Sequence, residues 1–429
     1  MSFEKSFCPS PWFHMRINNS GSYEYCRWRT KDAPRFDATN NIREQTPLTY
    51  FQNTMSAIRA DLLAGCQPDG CKECYELESY NKVSGRQRQL LKVGIRNEYF
   101  EKTLSSSPLR ADFDYSNANQ GATTRGIVDW QIDLGNYCNG ACVFCSPESS
   151  SRLATEFKQI GLIDETPKAA WCEDPALVER FIQDLIASDP RYLHFIGGET
   201  LITPGFEKIL TALVDHNIAE HVTLGFTTNL TVWNDNTIAL LTKFKQVNLG
   251  MSVETLSSLN DYVRWPSKID QVQMYLDQWV KLGKQHDWIM QLRITPTCLT
   301  VHELGDIYEY AWQHELSVES CNFITNPKVM RISVLPFEYR KIARDNLATW
   351  VNTHLVESQE QLINTRNPTK FREQLHQDAS SYLEYLDSAP DESYLMPELV
   401  TYLKLLETSR GNSILNYLPY EELFRNHGY

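Results

Sequence analysis

From about residue 127 onward, short apolar runs alternate with longer stretches in which apolar positions recur every three or four residues. Val128–Leu134, Tyr192–Ile196, Val222–Thr227, Val247–Val253, Met290–Ile294 and Val318–Ile324 read as strands. Amphipathic stretches follow them: one after the first run, then Phe206–Val214, Thr237–Leu241, Val272–Leu282 and Val301–Trp312. Strands that each but the last lead into a helix predict a parallel α/β fold with right-handed crossovers. Six such units are too few for a closed eight-unit barrel. An open-sided (β/α)6 barrel fits the number, although periodicity alone also admits a doubly wound sheet.

The flanks read differently. Residues 1–110 form a small N-terminal α+β unit rich in turns and aromatics, where Trp12–Ile17 and Tyr23–Trp28 frame Asn18 to Ser22 as a hairpin and Met55–Leu63 has helical spacing. A Ser/Asn/Gly/Thr-rich stretch over 104–125 predicts a connector to the α/β domain at 120–335. Residues 336–429 predict an appended helical extension, including Phe337–Leu347 and Pro397–Leu406.

The chain has 429 residues and a formal net charge of −13, which gives it no overall attraction to a phosphate backbone and argues against a nucleic-acid partner. No apolar run approaches a membrane span, and the N-terminal residues lack a signal-peptide core, so a cytoplasmic protein is expected. Thiols stay reduced there, so eleven cysteines read as metal ligands or buried thiols before disulfides.

Their grouping carries the chemistry. Cys138, Cys142 and Cys145 stand in a C-x3-C-x2-C loop after the first strand of the α/β region, at the end where loops carry function in parallel folds. Three thiolates hold one face of an iron–sulfur cubane and leave one iron open, whereas a fully ligated cluster takes four. The bland alternative, a structural zinc site, more often uses cysteine pairs two residues apart.

With Phe144 at the aromatic position, this loop resembles the radical SAM superfamily, whose members cleave S-adenosylmethionine (SAM) at a [4Fe–4S] cluster. Gly197, Gly198, Glu199 and Thr200 at the end of the second strand resemble that family's Gly-Gly-Glu-Pro motif, with Thr200 in place of proline. The resemblance implies that this backbone and the Glu199 carboxylate hold the SAM amino group. It likewise implies that Ser252 and Glu254, after the fourth strand, contact the ribose, and that Thr228, Asn229 and Arg293 lie near the cosubstrate. Arg293 reads equally as a structural ion-pair partner. Val334 and Leu335, after Arg331, are candidate adenine contacts.

Cys8 and Cys26, joined by the hairpin, and the Cys71/Cys74 knuckle offer four thiols from three places, suited to a second, auxiliary [4Fe–4S] cluster or to zinc. This resembles a twitch domain, a shortened SPASM-like module, here placed ahead of the barrel. Cys66 is left as a bystander or alternative ligand. Arg86 and Arg88 read as a solvated helix face before they read as cations that line the gap between domains and meet an anionic substrate, Cys172, Cys298 and Cys321 as buried thiols, and His14 and His194 as core histidines.

The resemblance implies an oxidoreductase-type radical enzyme. Electrons come from a flavodoxin- or ferredoxin-type donor, and a 5′-deoxyadenosyl radical abstracts hydrogen from substrate. The auxiliary cluster would accept or relay an electron. A peptide or protein side chain is the first substrate expectation and a small polar metabolite, such as an amino sugar alcohol, the second. A zinc-bearing interaction protein is the non-enzymatic alternative.

Overall fold

The computed structural model describes residues 6–26, 40–80, 82–92, 110–168, 170–319, 323–354 and 371–429. Eight strands form one sheet in the order β2-β1-β3-β4-β5-β6-β7-β8. They are β1 His14–Ile17, β2 Tyr23–Glu24, β3 Asp129–Asp133, β4 Tyr192–Ile196, β5 Thr223–Thr228, β6 Gln246–Ser252, β7 Ile289–Arg293 and β8 Ser317–Glu319. Strands β3 to β8 are the six expected from the apolar runs, and they are parallel throughout. This is an α/β fold with a mostly parallel sheet, in keeping with a partial radical SAM barrel, followed by a helical C-terminal region. The last expected strand is shorter than its apolar run, and Cys321 lies outside the described residues.

Alternation along the strands sorts the two faces. Trp130, Ile132, Leu193, Phe195, Leu249 and Leu292 are buried under the crossover helices. Their neighbours in sequence, such as His194, Asn248, Gln291 and Arg293, stay partly accessible on the inner face.

The N-terminal hairpin does not stand apart from this sheet. Strand β1 pairs in parallel with β3, Met15 opposite Trp130 and Ile17 opposite Ile132, while β2 pairs with it in antiparallel fashion. Its base is sealed by Trp12, whose indole donates to Ser116 Oγ at 2.9 Å and meets Phe113 edge-on. Those two residues belong to a helix, Arg110–Ala118, inside the stretch expected to be only a connector. Turn-forming composition lost there to the burial of Phe113. At the same level, Arg59 is fully buried and donates to the carbonyls of Pro11, Phe51, Gln52 and Gly121, tying the hairpin to the helix Ser56–Leu63.

The C-terminal helices close over the barrel. Tyr420 donates to the Cys298 carbonyl and meets His302 Nδ1 at 3.1 Å. Burial pushes the His302 imidazole down to about 4, so the folded protein holds it neutral. Because the unfolded chain protonates first, this group's contribution is fully present above pH 6.5 and is lost as the pH falls toward 4. His302→Gln is expected to flatten that stretch of the stability profile by about 3 kcal/mol. Urea unfolding at pH 7 and pH 4.5 measures it; equal acid sensitivity in both proteins would refute it. Among the described residues, no helix is long and apolar enough to cross a membrane.

Candidate functional site

The loop that follows β3 carries Cys138, Cys142 and Cys145, and three neighbouring segments hold it. Ala141 and Val143 donate their N–H groups to the carbonyls of Trp265 and Val263, at 2.7 and 2.9 Å, at and just past the end of the short helix Leu259–Val263 beyond β6. Ser150 caps the helix Ser151–Gln159 and also donates to the Gly140 carbonyl. Tyr402, from the C-terminal helix Met396–Arg410, donates to the Val143 carbonyl at 2.8 Å. The helical extension is therefore part of the site's frame, because its apolar stripe of Leu399, Leu403 and Leu406 packs inward and carries Tyr402 to the loop.

The strand end after β4 packs against the start of this loop. Gly198 N donates to the Gly135 carbonyl and Glu199 N to that of Tyr137. A Cβ on Gly198 would fall 2.2 Å from the Tyr137 oxygen, and one on Gly197, which has φ +123°, 2.4 Å from that of Gly135. The paired glycines thus admit the cysteine loop itself, where the sequence suggested close approach of a cosubstrate. Gly198→Ala is expected to push the two loops apart and lower iron retention severalfold without unfolding the chain. Iron content and near-UV circular dichroism check this, and full iron loading would refute it.

Glu199 is buried, and its two oxygens accept from Leu201 N at 3.2 Å and Asn229 N at 2.6 Å. It joins the β4 and β5 ends. Burial raises its pKa, and those two bonds together with Arg264 oppose the rise. Asn229 reaches Asn139 Oδ1 at 2.8 Å, inside the cysteine loop, and Asn139 reaches Thr231. Thr200 and Thr228 are buried beside this junction.

Glu254 is not free at the barrel mouth. Its carboxylate takes Arg264 at 2.8 Å and Thr295 N at 2.6 Å. The ribose role implied by the resemblance meets a carboxylate already engaged by a buried cation, while Ser252 keeps its place on the inner face. Arg293 takes the ion-pair alternative, with Glu319 at 2.6 Å and Thr227 Oγ1 at 3.0 Å. It crosses β6 at Gly250, where a Cβ would strike its Cδ at 2.6 Å. Val334 and Leu335 are buried in the core, and Arg331 pairs with Glu392.

Sequence reading missed Arg264, Asn139, Arg152 and Tyr402. With Cys142, Gly140 and Asn229, the first three line a cleft of about 200 Å³. Arg264 lies over the Phe144 ring, and Arg152 stacks on Trp265. No spacing or motif marks Arg264 and Tyr402, because each reaches the cysteine loop from a segment distant in the chain. Burial raises the thiols, Cys138 to about 11 and Cys145 to about 12, with Arg264 opposing the rise in each. Metal ligation takes the thiolate form, so a cation held here would displace these protons. A three-thiol loop that presents Cys142 to an open cleft with polar and cationic walls fits an iron–sulfur cluster with a polar cosubstrate.

A second thiol set lies at the other end of the hairpin. Cys8, Cys26, Cys71 and Cys74 line one small cavity with Tyr25, Arg86 and Gln89. Burial is the main cause raising Cys8, Cys71 and Cys74, and Cys71 reaches about 11. Arg86 is not a solvated side chain: it is buried, paired with Glu78, and donates to the Phe7 carbonyl at 2.9 Å. Arg88 is exposed, as is Cys66, which does not line this cavity. Among the described residues no three ligating side chains converge on a single ion. Cys172 and Cys298 are buried, and His14 is a core histidine 3.3 Å from Asp129.

A parallel α/β sheet with a three-thiol loop at the C-terminal end of its first barrel strand defines the class of the site. Residues 132–286 match the Radical SAM superfamily, and the chain carries a domain of that superfamily. No curated protein matches the chain. Among solved structures it is similar to Streptococcus suis SuiB bound to S-adenosylmethionine, with 14% identity and a TM-score of 0.39 over 70% of this chain and 64% of that one. It is also similar to anSMEcpe with bound AdoMet, with 14% identity and a TM-score of 0.37 over 52% and 60% of the two chains. A third is TsrM, a radical S-adenosylmethionine methyltransferase from Kitasatospora setae, with 16% identity and a TM-score of 0.29 over 43% and 35%. The chain thus spans less than two thirds of each of these proteins.

Proposed function

We propose that this protein is a radical SAM enzyme of oxidoreductase type that starts hydrogen abstraction at a cluster held by Cys138, Cys142 and Cys145. The observation that carries this reading is the three-thiol loop, clamped on three sides beside an open polar cleft, within a domain of that superfamily. A [4Fe–4S] cluster there, with SAM and a flavodoxin- or ferredoxin-type donor, supplies the electron and the open coordination site for reductive cleavage. The chain's own residues orient the parts. Glu199 and Asn229 keep the β4 and β5 ends joined beneath the cysteine loop, and in this reading Glu199 also meets the SAM ammonium group. Arg264, held by Glu254, puts a fixed cation beside the thiols. The apolar cover of Phe144 and Trp265 limits water.

Cys8, Cys26, Cys71 and Cys74 form the auxiliary site in this reading, as in a twitch-like module. Four thiols in a closed cavity leave no open iron, which supports an electron-accepting or relaying role over direct ligation of substrate. The substrate, following the resemblance to peptide maturases, is a peptide or protein side chain. A small polar metabolite is the second reading, favoured by the polar inner face of the sheet.

Anaerobic reconstitution with iron and sulfide, followed by SAM and dithionite, tests the proposal. About eight irons per chain and formation of 5′-deoxyadenosine are expected. A brown, fully loaded protein that leaves SAM intact would overturn it, as would colourless protein holding zinc. Cys71→Ala is expected to lower iron to about four per chain while 5′-deoxyadenosine still forms. Unchanged iron in that variant would remove the auxiliary cluster from the proposal.

A further inference from the structure

Neither thiol site uses a row of polar side chains across the inner face of the sheet. Arg16 on β1, Gln131 on β3, His194 on β4, Gly225 on β5 and Asn248 on β6 are partners in register from strand to strand. They therefore stand side by side at one height of the barrel. Three of them hold a buried polar atom with no hydrogen-bond partner among the described residues: Arg16 Nε, Gln131 Oε1 and Asn248 Oδ1. Gln131 is only 7% exposed. A buried polar atom left unpaired is uncommon and costly in a folded protein. Three in a single row mark a place where the partner comes from outside the chain.

Gly225 carries no side chain in the middle of the row, and the His194 ring lies against it there: a Cβ on Gly225 would fall 2.6 Å from His194 Nδ1. On β3, Asp133 lies two residues beyond Gln131, toward the cysteine loop, so the row sits about 7 Å below the strand ends.

We propose that this row is the substrate-recognising floor of the barrel and that it reads a hydroxyl-bearing group. A donor at Arg16 and acceptors at Gln131 and Asn248 are met together by a group that both accepts and donates, as a hydroxyl does. An apolar group would leave all three unpaired. If either amide is turned about, it offers N–H in place of oxygen, and a hydroxyl satisfies it equally. A free metabolite and a polar side chain of a short peptide share this chemistry. The inference deepens the proposed function by naming what its chamber recognises, and it rests on that reading only for the consequence of binding.

Binding is measured by calorimetry on the full reconstituted chain and on Gln131→Leu/Asn248→Leu, with D-glucosamine, the tripeptide Gly-Ser-Gly and hexylamine as probes. One of the two polar probes is expected to bind, and the double variant to weaken it at least tenfold; the one that binds names the source. The thermal midpoint of the variant is expected to stay level or rise, because near-isosteric leucines remove unpaired polar atoms. A midpoint several degrees lower would show the amides to be structural and overturn the proposal. Hexylamine binding as well as the polar probes, binding unaffected by the variant, or no polar probe binding would each overturn it too. Formation of 5′-deoxyadenosine without substrate is followed in parallel. Its absence counts against the enzyme reading and leaves the binding result to be judged by itself.

Discussion

Cys142→Ala abolishes 5′-deoxyadenosine formation and removes about four irons per chain, leaving the second thiol set loaded. The expectation follows from how the loop is built. Backbone bonds from Ala141 and Val143 place Cys142 between the two other thiols and against Arg264. Two remaining thiols cannot hold a cubane, and neither Asn139 nor Gly140 offers a soft ligand in its place. Iron assay, electron paramagnetic resonance of the reduced protein and product chromatography read the outcome. Cys298→Ala is the control: this thiol lies in the core near the Val329 carbonyl, outside both thiol sites, and its loss leaves iron unchanged. Retained SAM cleavage in Cys142→Ala would mean that the loop does not hold the reactive centre.

Arg410→Leu is expected to destabilise the fold by about 3–5 kcal/mol, among the largest single effects in the molecule. Arg410 ends the Met396–Arg410 helix and grips Glu156 through Nε at 2.8 Å and Nη2 at 2.7 Å, and both side chains are almost fully buried. Glu156 belongs to the helix that leaves the cysteine loop, and Ser409 also donates to it. Removing the guanidinium strands a carboxylate without water or a countercharge. Denaturant unfolding measures the loss, and iron retention should fall with it because Tyr402 rides on the same helix. Glu156→Leu/Arg410→Leu is expected to recover most of the stability, since an apolar pair has no charge to desolvate. A single variant as stable as the parent would show that the pair contributes nothing to docking the C-terminal layer.

Much of the candidate site was legible from residue type and spacing. The C-x3-C-x2-C loop, the glycine pair before Glu199 and the four N-terminal cysteines each stand out as local patterns. Their surroundings do not. Arg264, Tyr402 and Arg410 act through contacts to residues far away in the chain, which no local pattern encodes. Charge pairing behaves the same way: Arg293 and Glu254 stand at the expected strand ends, yet their partners, Glu319 and Arg264, decide what they can do. Arg86 reads as solvated because its neighbours in sequence are polar, whereas the cavity that buries it is assembled from five stretches between Cys8 and Gln89.

Taken alone, the amino-acid order determined the six parallel strands, their crossover helices and the grouping of thiols, because periodicity and ligand spacing are short-range properties of a chain. Folding decided that the hairpin joins the barrel sheet beside β3 and that the C-terminal helix clamps the cysteine loop. It also lined up Arg16, Gln131 and Asn248 in one row. Those outcomes depend on register, burial and pairing between distant segments, and only the packed chain brings such segments together.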